Sequence, residues 1–361
     1  MNKDGRLVDA GVSKIWIAIG TPFQVNFFHV LMERLRGKFE FLITARNHDR
    51  TIAMLEAKGI EHYRVGYHGG KQLGNKLLAY AETTKQMIPI IKKEKPDLLI
   101  TERWPEAVRT SFGFGIPAWT IFYDEREFHA NWLTFPLSSK VFAPTFYTMS
   151  DLRRHGITGT NKVVWFRGFH ANYLKDEVAR RVLGLDTVSV PSVGKAQTPT
   201  VLVRPEPDFA VFYQGKHGLL EKVVKILVEE LKLDVLVIPR STRQAKRFPR
   251  DVVLPMEAAI STCPVTIGSM TLGAAETMLM ESFVCGIPAI SAIYWQPSRP
   301  VEELHKYVPH STDVDTLVEH VERFIDEKHR ASFSRTAHSI VDKMDNPVDI
   351  IARELQAYTN R

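Results

Sequence analysis

Chemistry in this chain concentrates in a few short stretches, and one carboxylate stands out among them. Glu281 lies five residues before Gly286, with Pro288 two residues further on. A carboxylate with two acceptor oxygens can take both hydroxyls of a vicinal diol at once. Ahead of it stand two small-residue pairs, Gly268-Ser269 and Gly273-Ala274, and then Thr277. Small residues between a strand end and a helix start leave backbone N–H groups open, and the helix dipole adds partial positive charge. The stretch is therefore read as a diphosphate cradle in two competing registers, one on Gly268 and Ser269 and one on Gly273. Thr277 serves as a phosphate donor or a helix cap in either register. Arg240 follows an apolar run and stands ready to neutralise a departing diphosphate, and Arg204, at a comparable strand end, is a candidate to line the same site.

A second group belongs to the first half of the chain. Gly20-Thr21 forms a small-residue loop that a ligand can approach closely. His68, between Tyr67 and Gly69, titrates in the range of a general base. Asp124 and Glu125 follow the apolar run 117–123 and are either a base, an acceptor anchor, or an ion cluster with Arg126. Glu102-Arg103 carries the same ambiguity, and Trp104 is a sugar-stacking or a core residue.

The elements that position these residues alternate regularly. Strands are expected at 14–19, 39–44, 62–65, 96–101, 117–123, 141–143 and 163–166, with helices at 23–36, 51–58, 73–93 and 105–113 between the first of them. Alternating strands and helices on short connections predict a parallel sheet covered on both faces. The stretch 185–199 is rich in Ser, Thr and Val, carries two prolines, and has no helical period. The alternation restarts with strands at 200–203, 234–238, 252–254 and 265–267, a helix at 274–285, a strand to 291, and helices at 314–328 and 347–359. The expected organisation is a flexible tail over 1–13, a domain over 14–168, a linker over 169–199, a second domain over 200–345, and a C-terminal helix over 346–361. In such sheets ligands bind beyond the carboxyl ends of the strands, so the expected site is a cleft between the two domains.

Composition sets the outer bounds. The 361 residues are 44% hydrophobic and 24% charged, enough apolar material for two cores, with a net charge of +6. That excess suits an anionic ligand or an acidic membrane face. No lysine or arginine stripe interleaves with aromatics, which argues against nucleic acid. The two cysteines fit no zinc spacing and read as reduced residues of a cytosolic protein. No run reaches the roughly 20 apolar residues that span a bilayer. The expected location is cytoplasmic, with contact at the inner membrane face as an extension.

Together, the Glu281–Gly286–Pro288 spacing, Ile15-Trp16-Ile17 with Pro22 and Phe27-Phe28, 42–46 as Leu-Ile-Thr-Ala-Arg, His68-Gly69-Gly70, 133–136 as Leu-Thr-Phe-Pro, Val203-Arg204-Pro205, Pro239-Arg240 and Thr277-Met278 resemble one family. It is the domain-of-unknown-function family 354, and the likeness runs over about 14–352. The family groups with GT-B glycosyltransferases and resembles the non-hydrolysing UDP-N-acetylglucosamine 2-epimerases. The resemblance implies the GT-B α/β fold, two Rossmann-like doubly wound domains. It implies a nucleotide-diphosphate sugar, UDP-linked, as substrate, with Glu281 on the ribose and no separate cofactor. The chain departs from the family pattern at Ala18, Gln24, Asn26 and Ala275-Glu276. The leading expectation is a metal-independent glycosyltransferase with a glycan or lipid-linked acceptor. A sugar-nucleotide epimerase and a non-catalytic sugar-nucleotide or polysaccharide binder are the alternatives.

Overall fold

The computed structural model describes residues 13–70, 72–185, 199–206, 218–254 and 268–359. The chain divides into two compact units, 1–166 with 346–361, and 167–345.

Unit 1 is built on seven parallel strands: β1 (Lys14–Ile19), β2 (Glu40–Asn47), β3 (Tyr63–Tyr67), β4 (Leu98–Thr101), β5 (Ala118–Ile121), β6 (Lys140–Pro144) and β7 (Val163–Phe166). Their order across the sheet is β3-β2-β1-β4-β5-β6-β7. β1 reads Lys-Ile-Trp-Ile-Ala-Ile, and every residue after the first is fully buried. Such unbroken apolar runs are what a parallel strand covered on both faces requires. The covering helices include α1 (Pro22–Arg34), α2 (Thr51–Ala57), α3 (Leu73–Glu94), α4 (Pro105–Gly113), α5 (Phe128–Thr134) and α6 (Met149–Arg153). Right-handed crossovers place α1 and α2 on one face and α3, α4 and α5 on the other. Trp16, Leu99, Trp104, Val108, Met87 and Ile91 form a core beneath α3 and α4.

Unit 2 begins with a 3-10 turn, His170–Lys175, and α7 (Glu177–Leu183). The passage expected as a linker over 169–199 thus opens with ordered structure of this unit, and 186–198 lies outside the described residues. The second sheet has four parallel strands: β8 (Thr200–Arg204), β9 (Asp234–Val237), β10 (Met270–Gly273) and β11 (Ala289–Ser291), in the order β11-β10-β8-β9. Its helices are α8 (Leu219–Glu229), α9 (Thr242–Ala245), α10 (Glu276–Val284), α11 (Arg299–Leu304), α12 (Val314–Arg323) and α13 (Glu327–Val341). The expected strand at 265–267 lies outside the described residues. The strand that pairs with β8 and β11 is instead Met270–Gly273. The expected strand at 252–254 is a 3-10 turn, Arg250–Val252, followed by a single bridge from Val253 to Val237.

The last helix, α14 (Pro347–Thr359), belongs to unit 1. Asp349 accepts from Arg34 at 2.6 Å, Glu354 from Lys140 at 2.5 Å, and Tyr358 meets the Trp119 ring edge-on at 5.3 Å. The chain therefore forms the two parallel α/β sheets that its alternating pattern predicts. No helix of the described residues is long and apolar enough to cross a membrane.

Candidate functional site

Each sheet has one place where successive crossovers leave in opposite directions. Loops diverge there and open a crevice at the strand ends. In unit 1 this point lies between β1 and β4, in unit 2 between β8 and β10.

The unit 2 point is built around Gly273 and Arg204. A Cβ on Gly273 would stand 2.7 Å from the Arg204 carbonyl oxygen, so only glycine lets the two backbones meet. Ala274 N donates to that same carbonyl at 3.0 Å. The chain then enters α10 with no side-chain cap at Ala275. Thr277 is half-buried in the first turn. Glu276, the residue most at odds with a bound anion, accepts from the Ser298 hydroxyl at 2.8 Å. Ser282 pins the helix to β10 by donating to Thr271 Oγ1 at 2.8 Å. Gly286 closes α10 with φ of +71°, and Ile287 N returns to the Ser282 carbonyl.

Glu281 lies on this helix, 7% exposed, with its carboxylate accepting from the Tyr173 hydroxyl at 3.2 Å. Burial raises its pKa to about 7, and the Tyr173 hydrogen bond opposes that rise. Tyr173 is a site residue that sequence reasoning missed. It comes from the 3-10 turn, 108 positions upstream, and no local pattern marks it.

The two arginines brace the strand ends. Arg204 Nη1 donates to the carbonyls of Ile238 and Pro239 at 2.9 and 3.0 Å. Arg240 Nε donates back to the Pro205 carbonyl at 3.2 Å. Gln244 completes the brace, donating to the Glu206 carbonyl and accepting from Arg240 N. Both guanidinium groups are thereby held on backbone carbonyls just beyond β8 and β9.

Gly268 and Ser269 are elsewhere. They precede β10, and Ser269 N donates to the Thr200 carbonyl at the start of β8. A Cβ on Gly268 would meet Leu202 Cβ at 2.7 Å. These two residues stand at the entrance of the strand, the end opposite to Gly273 and α10. The register with Gly268 and Ser269 as the strand exit is thus corrected, because the paired strand starts at Met270, five residues later than the apolar run suggests.

The unit 1 point gathers a different set. Gly20 N donates to Gln24 Oε1 at 2.5 Å, and Gln24 Nε2 donates to Glu102 Oε2 at 2.6 Å. Thr101 Oγ1 ties β4 to the Ala18 carbonyl at 2.8 Å. Thr21 is half-buried at the N-cap of α1 and caps nothing with its side chain. Glu102 is buried, and that burial raises its pKa despite Arg103 and Gln24. Arg103 Nη1 reaches the Asp124 carbonyl at 3.3 Å.

Asp124 is committed to Arg126. Its carboxylate takes Arg126 N at 2.9 Å, Nε at 3.0 Å and Nη2 at 2.7 Å. Burial works against the charge, and the guanidinium outweighs it, holding the carboxyl below its usual range. Glu125 accepts from the Tyr147 hydroxyl at 2.5 Å. His68 lies at the far end of β3, stacked on His48 at 4.6 Å. Burial and the His48 and Arg46 charges lower its pKa to about 4. With the order β3-β2-β1-β4-β5, four strand spacings, roughly 19 Å, separate the strand bearing His68 from the one bearing Asp124. The sheet keeps His68 and Asp124 apart, and brings Glu102 to Gly20.

Comparison with known proteins places this arrangement. The closely superposable solved structures include a UDP co-structure of MnaA from S. aureus (TM-score 0.71, 14% identity, 96% of this chain and 97% of that one). They also include the Methanocaldococcus jannaschii UDP-GlcNAc 2-epimerase in complex with UDP-GlcNAc and UDP (TM-score 0.68, 15%, 95% and 99%). A spinosyn forosaminyltransferase, SpnP, matches at TM-score 0.58 with 12% identity over 97% and 100%. At these identities the likeness is one of fold. An uncharacterized protein of Methanocaldococcus jannaschii is 26% identical over 318 residues, 85% of this chain and 90% of its own length. Residues 13–359 match the model described as a protein of unknown function, DUF354, and the chain belongs to that family.

Proposed function

We propose that the protein binds a nucleotide-diphosphate sugar, UDP-linked, on unit 2 and transfers its sugar to an acceptor held by unit 1. The observation that carries this reading is Glu281. A carboxylate that is 7% exposed, with the Tyr173 hydroxyl as its hydrogen-bond donor, has acceptor capacity left for a pair of ligand hydroxyls. In this reading a ribose supplies them. The diphosphate lies toward Gly273, Thr277 and the first turn of α10, where N–H groups and the helix dipole favour negative charge. Arg240 and Arg204 stabilise the leaving diphosphate without a metal, because their guanidinium groups are already oriented. In unit 1, Glu102 replaces Asp124, Glu125 and His68 as the proton-accepting group, since Asp124 is neutralised by Arg126 and His68 is too weak a base. The acceptor is a glycan or a lipid-linked glycan.

Epimerisation is the second reading, and Glu102 is the observation that favours it. A buried carboxyl with a raised pKa can both take and return a proton at one sugar carbon. Incubation with a panel of nucleotide-sugars separates the two. Release of UDP only when an acceptor is added supports transfer; interconversion of the sugar without an acceptor sinks it. Isothermal calorimetry with UDP tests the site itself. Glu281→Ala is expected to weaken UDP by roughly 10- to 100-fold, the worth of hydrogen bonds to a charged group. Equal affinity in wild type and variant removes the reading.

A further inference from the structure

A polar cluster that this chemistry leaves unused lies at the C-terminal ends of β2 and β3 in unit 1. Arg46, half-buried, follows the buried part of β2, and its guanidinium carbon stands 4.8 Å from the centre of the Trp104 ring. Among the described residues, its buried Nε has no hydrogen-bond partner, and neither has the indole Nε1 of Trp104, a residue that is fully buried. Two buried N–H donors without an acceptor are costly. Glu106 pairs with Arg46 Nη2 at 3.6 Å, longer than a hydrogen bond, and this ion pair leaves Nε without an acceptor.

Gly20 lies beside the guanidinium. A Cβ there would come within 3.9 Å of the Arg46 Cζ. Directly beyond Gly20, α1 starts at Pro22 with no side-chain cap and no acidic residue in its first turn. The stacked rings of His48 and His68 lie in the same positive field. Burial lowers both imidazoles, and Arg46 adds to the effect in each. An unspent guanidinium donor, a buried indole N–H, an uncapped helix start and two imidazoles kept neutral are complementary to one kind of group.

We propose that unit 1 binds an oxyanion, a phosphate or carboxylate group, on Arg46, with Trp104 beneath it and Gly20 beside it. The site stands on its own geometry; identifying the oxyanion as part of the acceptor rests on the nucleotide-sugar reading. A bound negative charge favours the imidazolium form, so the histidines report occupancy without any assay of turnover.

The test is a proton NMR pH titration of the His68 ring in the full chain, with its resonance assigned from His68→Asn. Inorganic phosphate and acetate are added in separate arms. Either anion is expected to raise the His68 pKa by about one unit from its position near 4. A larger rise with phosphate identifies a phosphate ligand, and a larger rise with acetate a carboxylate. Arg46→Gln is expected to abolish the rise, and Arg46→Lys, which keeps a charge but not the planar fork, to weaken anion affinity about tenfold. Arg46→Lys also decides the matter if Arg46→Gln does not fold. No anion-dependent shift in wild type, or an equal shift in the Arg46 variants, overturns the proposal. Loss of UDP binding in wild type with the histidine shift intact would instead sink the nucleotide-sugar reading alone.

Discussion

The two switch points are built on the same topological rule and filled in opposite ways. At β1/β4 of unit 1, the buried carboxyl of Glu102 has a fixed amide donor in Gln24 and Arg103 beside it, and its neighbour Asp124 is closed by three N–H bonds from Arg126. At β8/β10 of unit 2, Arg204 Nη1 and Arg240 Nε are held on backbone carbonyls and the carboxyl of Glu281 is held by a tyrosine hydroxyl. A crowded, charge-compensated set suits proton transfer, because its members hold one another in place. A carboxylate with acceptor capacity remaining suits recognition of hydroxyl groups. The proposed division, with proton transfer in one unit and ligand recognition in the other, rests on this contrast.

The largest effect should come from breaking that division on the unit 1 side. Glu102→Gln keeps the size and the hydrogen bond to Gln24 but removes the exchangeable proton. Turnover of a nucleotide-sugar is expected to fall 10²- to 10⁴-fold, the usual weight of general acid–base catalysis, with UDP affinity unchanged. Steady-state kinetics beside calorimetry reads both. A variant that loses UDP binding and keeps turnover would reverse the roles of the two units.

On the unit 2 side the sharper handle is pH. Glu281 has a folded pKa of about 7 against an ordinary value of 4.5. The folded state therefore favours the protonated carboxyl. Its contribution to stability is fully present below pH 4.5 and is lost as pH rises through 7. Two and a half units correspond to about 3 kcal/mol. Glu281→Gln should accordingly be more stable than wild type by about that amount at pH 8 and equal to it at pH 4, in denaturant titrations. Glu102 titrates in the same sense, so the Gln variant at 281 isolates the unit 2 share. A wild type whose stability is flat across this range would show that Glu281 is paired more fully than its tyrosine contact implies.

How far the sequence reveals this contrast varies by element. β1, β7, α4 and α14 are legible to the residue, because their ends carry strong local marks: an unbroken apolar run, or a proline at the first helical position. β10 is not. The β-branched run at 265–267 advertises a strand more strongly than Met270-Thr271-Leu272-Gly273 does, and only pairing with β8 and β11 selects the latter. That five-residue slip is what misplaced Gly268 and Ser269. The place of Glu281 on a helix closed by Gly286 is legible in the sequence, whereas its contact with Tyr173 is invisible because sequence distance hides it. In unit 1, Asp124 and Glu125 were visible as a rim cluster, but burial and sheet order decide that Glu102 stands at the switch point and that His68 does not join it.

The smallest change probes the contact that defines the unit 2 site. Tyr173→Phe deletes one hydroxyl and leaves the ring, which packs in a fully buried position. That hydroxyl opposes the burial-driven rise of the Glu281 pKa. Its loss should push the carboxyl higher still and cost about 1 kcal/mol at pH 8, where Glu281 is ionised, and less at pH 4. UDP affinity tells which role the hydroxyl plays. If Tyr173 merely fills the place a ribose hydroxyl would take, its removal leaves a less competed carboxylate and UDP binds equally or slightly better. If it orients the carboxylate for the ribose, UDP binds a few-fold more weakly. Calorimetry on Tyr173→Phe and Glu281→Ala, singly and together, resolves this. Orientation through Glu281 requires that the tyrosine change have no further effect once Glu281 is gone.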